Sequence, residues 1–125
     1  MDIQKQIDYW RQGACRALRS VPALEEREFW EEALFWTHLA IEKALKAHVV
    51  KSTDDIPPYT HKLVRLAEIA GLNLSPDQLG LCEELGIRQR LARYPDEAIG
   101  EVDGATARRL LHAGREFYEW LLKNL

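Results

Sequence analysis

Cysteine is scarce in this chain. Its 125 residues hold two, Cys15 and Cys82, far apart and in no CxxC pattern. That excludes a zinc site built of cysteines and leaves no disulfide framework. The expectation is two half-buried thiols in a reducing compartment. Long apolar runs are missing too. No stretch approaches the ~20 apolar residues of a membrane helix, and the opening MDIQKQIDYW lacks an apolar core of signal-peptide length. The reading is a cytoplasmic protein without a membrane partner. Neither G-x-x-x-x-G-K nor G-x-G-x-x-G occurs, which excludes a P-loop or Rossmann enzyme. There is no G-x-S-x-G and no cysteine with a convincing catalytic partner. HExxH is absent, and so is the Glu-x-x-His pair that a di-iron bundle needs. The residues three before His38, His48, His61 and His112 are Phe35, Leu45, Pro58 and Arg109. None is a carboxylate, so no metal and no cofactor are expected.

Alternating β-branched runs are also lacking, so no sheet is expected. Apolar residues make up 46% and charged residues 30%, ordinary for a globular chain, and the length suits one domain over 1–125. Helical spacing takes up nearly all of it. A first helix is predicted from about Asp2 to Ser20, with Ile3, Ile7, Trp10, Ala14, Ala17 and Leu18 on one stripe, ended by Pro22. A second runs from about Glu25 to Val50, with Glu25, Glu26 and Glu28 at its positive end. It is apolar nearly all round, so it must be covered on several sides, as the centre of a bundle or against a second subunit. After the adjacent prolines Pro57 and Pro58 comes a short helix from about His61 to Ala70. Ser75 and Pro76 open a fourth, to about Arg93. Asp103 caps the last, striped by Ala107, Leu110, Leu111, Gly114, Tyr118 and Leu121. The fold class is all-α: an up-and-down bundle of four main helices plus a short one.

Two constellations carry charge in a pattern. His38, Glu42 and Lys46 follow at four-residue steps on the second helix. Such a strip reads first as an intrahelical charge ladder on a solvated face, and second as a polar wall facing a groove. His61 reads as a first-turn residue of the third helix. The stretch GIRQRLARYPDE holds Arg88, Arg90 and Arg93 just before Tyr94-Pro95-Asp96. The net charge of −3 gives no bulk attraction to nucleic acid, so phosphate binding would need a local cluster like this one. Arginines at a helix C-terminus suit the dipole. Guanidiniums beside an aromatic ring also suit phosphate gripping and base stacking.

Three segments in order, EEALFWTHLAIEKALKAHVV, PPYTHKLVRLAEIAGL and ARYPDE, resemble the HEPN family (higher eukaryotes and prokaryotes nucleotide-binding). The resemblance covers about residues 2 to 123. It implies an all-α bundle, commonly a homodimer, with nucleotide or RNA chemistry. Many such proteins act with a minimal nucleotidyltransferase in toxin–antitoxin pairs. Others are metal-independent ribonucleases using Arg, four to six residues, then His. No histidine follows Arg88, Arg90 or Arg93 at that spacing. Arg108 precedes His112 by four positions, one intervening residue short of the pattern, and is read as coincidence. The expectation is therefore a non-catalytic nucleotide- or RNA-phosphate-binding module, homodimeric, with a nucleotidyltransferase as protein partner. Its ligand side is assigned to Arg88, Arg90, Arg93, Tyr94 and Asp96, with Lys43 and Lys46 of the EKALKA segment. The alternatives are a metal-independent ribonuclease with an altered motif, and a homodimeric interaction module with no nucleotide ligand.

Overall fold

The computed structural model describes residues 1–93 and 100–125, and the side chains of Ala92 and Arg93 also lie outside the description. Among the described residues all regular structure is helical: α1 (Ile3–Leu18), α2 (Val21–Glu26), α3 (Trp30–Thr53), α4 (Leu63–Ile69), α5 (Pro76–Arg93) and α6 (Gly104–Lys123). The all-α bundle is borne out, with α1, α3, α5 and α6 as its long members and α4 as the expected short helix.

The boundary between the first two expected helices differs. Pro22 stops α1 and also sits in the first turn of a separate short helix, α2. Proline lacks an N–H, but first-turn N–H groups have no intrahelical acceptor in any case. The chain reverses after α2 through Glu28, whose φ of 59° is left-handed. The long helix therefore begins at Trp30, and the carboxylates in its first turn are Glu31 and Glu32. Glu25, Glu26 and Glu28 lie before it. Glu31 also accepts a hydrogen bond from the Val102 N–H at 3.2 Å, which fixes the entry to α6.

Helices α1, α2, α4, α5 and α6 all pack on α3. That is why α3 reads as apolar nearly all round: Leu34, Ala40, Ile41, Ala44, Leu45, Val49 and Val50 are all buried. The chain's own helices cover most of its circumference, so a second subunit is not required to explain its apolar character. By contrast α1 and α6 are amphipathic, burying Ile7, Ala14, Ala17 and Leu18, and Ala107, Leu110, Leu111, Phe117 and Leu121. Cys82 is buried and Cys15 exposed, both free. Burial pushes the Cys82 thiol up to about 12, so it behaves as a small core residue.

The α3–α6 seam carries two constraints. Gly114 approaches Thr37 so closely that an added Cβ would lie 2.6 Å from Thr37 Cγ2. Thr37 cannot easily give way, since it is buried and its hydroxyl donates to the Ala33 carbonyl at 2.9 Å. Nearer the C-terminus, His48 Nε2 donates to the Leu121 carbonyl at 2.7 Å, and Lys51 Nζ donates to the Leu125 carbonyl. These carbonyls belong to the end of α6, where intrahelical partners run out.

Two outcomes follow. Gly114→Ala should destabilise the fold by about 1–3 kcal/mol through overpacking. Gly80→Ala, at a helical site with nothing within 4 Å of an added Cβ, should stabilise it by about 0.5–1 kcal/mol. Urea unfolding of both variants checks the pair. Separately, burial holds the His48 imidazole below its ordinary value of 6.5, assisted by Lys51 and opposed by the Leu121 hydrogen bond. The fold thus prefers neutral His48. Its contribution is present above pH 6.5 and declines as pH falls towards the lower folded value, by up to about 1.4 kcal/mol per pH unit. A urea midpoint measured from pH 7.5 to 5 should fall less steeply in His48→Gln than in the parent.

Candidate functional site

The strip expected to be a solvated ladder is buried. His38, Glu42 and Lys46 retain 1%, 3% and 7% of their exposure, so the strip is not a solvated ladder; none of the three lines the groove beside α5 either, and together they form a buried polar cluster. The reason is that five other helices pack on α3 and cover the face that carries the strip. A buried carboxylate must be paired or it would not stay ionised. Glu42 is paired on both oxygens. Lys46 Nζ donates to Oε2 at 3.2 Å, and His61 Nδ1 donates to Oε1 at 3.0 Å. His38 Nδ1 stands 3.9 Å from Oε1. Trp10 of α1 covers Lys46, whose ammonium lies 5.3 Å from the ring centroid.

His61 reaches Glu42 from outside the helices. Helix α4 begins at Leu63, so His61 is not in its first turn as expected. It sits in the connection after Pro57 and Pro58, where the residue order Tyr59-Thr60-His61-Lys62 leaves the imidazole beside α3. Its side chain remains 56% exposed. The carboxylate can only accept, so Nδ1 carries the proton and neutral His61 presents a bare Nε2. That nitrogen has no hydrogen-bond partner among the described residues. A buried carboxylate orienting an exposed imidazole is an arrangement suited to proton transfer.

His61 also lines a groove of about 780 Å³ between the 59–64 segment and α5, a size that accommodates a small ligand. Its apolar lining includes Leu63, Val64, Cys82 and Ile87, and its polar lining Lys62, Glu83, Gln89 and Arg90. Tyr59, fully exposed, stands at its edge. Among the described residues, no three histidine, cysteine or carboxylate side chains converge to hold a metal ion.

The sequence-predicted ligand residues are distributed unevenly around this groove. Arg90 lines it. Arg88, two residues earlier and so on the far side of the helix, does not line it; its Nη1 is shielded from solvent without a hydrogen-bond partner among the described residues. Arg93 closes α5, but its side chain, together with Tyr94 and Asp96, lies outside the described residues. Lys46 is committed to Glu42. Lys43 lies elsewhere, against α1, where its stem crosses Gly13. The Arg108–His112 pair does not form a site: Arg108 meets Glu28 at 3.5 Å and stacks 4.8 Å over Trp30, while His112 pairs with Glu116 at 2.6 Å. What sequence reasoning missed is the union of Glu42 with His61. The two were noticed separately, and the signal available was a histidine nineteen residues on from a glutamate, just past a double proline.

The model of the HEPN domain matches residues 7–125, so the chain belongs to the HEPN-domain family. No curated protein and no solved structure matches it. Among the described residues, no helix is long and apolar enough to cross a membrane.

The charges around Glu42 set an expectation for stability. Glu42→Leu leaves the Lys46 ammonium buried without its carboxylate, and should cost about 3–5 kcal/mol. The double variant Glu42→Leu, Lys46→Met removes both charges and should recover most of that loss. Thermal melts of the single and double variants read the difference; equal stabilities would show that the pair is not coupled.

Proposed function

We propose that this HEPN-domain protein binds a nucleotide or a short RNA strand by its phosphates in the groove between the 59–64 segment and α5. The observation that supports the reading is the convergence of Arg90, Lys62 and Glu42-held His61 on one groove. Arg90 supplies a planar guanidinium for phosphate oxygens, and Lys62 a mobile ammonium. Tyr59 offers a ring on which an unstacked base can lie. The family supports nucleotide or RNA chemistry at this level. A nucleotidyltransferase partner, a toxin–antitoxin setting and a homodimeric state are part of the proposal and rest on the family resemblance alone.

A second reading is favoured by one observation, the oriented His61. The family's ribonuclease pattern asks for a histidine after the arginine, which this sequence lacks. The Glu42–His61 contact supports it, since His61 lines the same groove as Arg90 from another element. In that reading neutral His61 takes the 2′-hydroxyl proton through Nε2. The 2′-oxygen bonds to phosphorus, the P–O5′ bond breaks, and the leaving 5′-oxygen takes up a proton from solvent water in the open groove. The products are a 2′,3′-cyclic phosphate and a 5′-hydroxyl, and Arg90 stabilises the phosphorane.

Titration with a fluorescent single-stranded RNA separates the two readings. The binding reading expects salt-sensitive affinity that falls about tenfold in Arg90→Ala, with no strand cleavage. The cleavage reading expects cyclic-phosphate products without added metal, lost in His61→Ala and reduced in Glu42→Gln. No binding in the parent protein would remove both.

A further inference from the structure

A second concavity lies on α1 and the first half of α3, lined by residues that take no part in the groove. Tyr9, Trp10, Gly13 and Arg16 of α1 face Trp36 and Lys43 of α3 around a cup of about 180 Å³. Gly13 makes it possible. A Cβ there would lie 3.2 Å from Lys43 Cδ, so the bare glycine lets the lysine fold across α1. The rings are unusually accessible: Tyr9 is 62% and Trp36 39% exposed. Tyr9 is braced edge-on by Trp10 at 5.2 Å, and Trp36 by Phe35 at 5.5 Å. Among the described residues, neither Lys43 nor Arg16 forms an ion pair.

We infer that this face docks an acidic segment of a protein partner, with one apolar side chain of that segment anchored in the cup and its carboxylates on Lys43 and Arg16. Three features point to that occupant. The volume is below the range of cofactor and drug-sized sites, about 300–1,000 Å³, and suits a single side chain. Braced tryptophan and tyrosine beside arginine are the residue types that anchor protein interfaces. Unpaired cations on a chain of net charge −3 mark a local attraction for carboxylates, and two aromatic walls disfavour a hydrated free ion. A nucleic-acid strand fits less well. The cup offers two cations, Lys43 and Arg16, where a strand would need a longer run of them along its phosphate backbone.

The inference does not depend on the groove, and its test keeps the two apart. The full chain is titrated, by tryptophan fluorescence and calorimetry, with an amidated peptide of glutamates carrying one central leucine. The same peptide with glutamine for glutamate and a uridine oligonucleotide serve as comparisons. The acidic peptide is expected to bind more tightly than the glutamine peptide. Its affinity should fall at least about tenfold in the double variant Lys43→Glu, Arg16→Glu and again in Trp36→Ala, while Arg90→Ala leaves it unchanged. All these positions carry solvent-accessible side chains, and far-ultraviolet circular dichroism confirms that the variants fold. Equal binding of the glutamine peptide, persistence in the double variant, or no binding at millimolar peptide would overturn the inference. So would an oligonucleotide whose binding is lost in Lys43→Glu, Arg16→Glu rather than in Arg90→Ala.

Discussion

A carboxylate in the middle of the central helix organises the part of this protein that carries the proposed groove. Glu42 is almost wholly withdrawn from water, and removing an ion from water costs several kcal/mol unless partners replace its hydration. Both of its oxygens are therefore answered. Lys46, from the same helix, supplies one cation, and that lysine in turn is covered by Trp10 of α1. His61 supplies the other contact and brings the connection between α3 and α4 down onto the bundle. One requirement, pairing of a buried charge, thus ties together α1, α3 and the wall of the groove.

The consequence for chemistry is orientation. An isolated surface histidine samples several rotamers and both tautomers. His61 has one ring nitrogen held against a buried carboxylate, so the ring is oriented in the groove that Arg90 also lines. Binding and cleavage make different use of that arrangement. Binding needs only a donor or acceptor beside a phosphate. Cleavage needs the nitrogen to exchange a proton in step with bond making.

Much of the fold could be read from the chain itself, because helical periodicity and caps are local signals. Asp103 illustrates this: its side chain accepts from the Thr106 N–H at 2.8 Å, and that bond with the Thr106 hydroxyl holds its carboxyl below the ordinary range. Ser75 and Gln78 bond reciprocally at the start of α5. The failure at Pro22 was also local, since the same residue that stops one helix is tolerated in the first turn of the next. The site was harder to read. A His-x-x-x-Glu-x-x-x-Lys strip has the same sequence whether water or protein faces it. Only the count of helices packed around α3 decides between them, and that is a tertiary property. Arg90 of the arginine cluster lines the groove, whereas the places of Tyr59, Lys62 and the Glu42–His61 contact depend on where a proline-rich connection lies.

The most direct test of this account is nitrogen NMR of the histidine side chains during titration with a short single-stranded RNA. The account expects the ring nitrogens of His61 to shift, with Nδ1 remaining the protonated, hydrogen-bonded nitrogen, while those of exposed His112 on α6 stay in place. RNA binding that leaves His61 unmoved, or that shifts His112 instead, would contradict it.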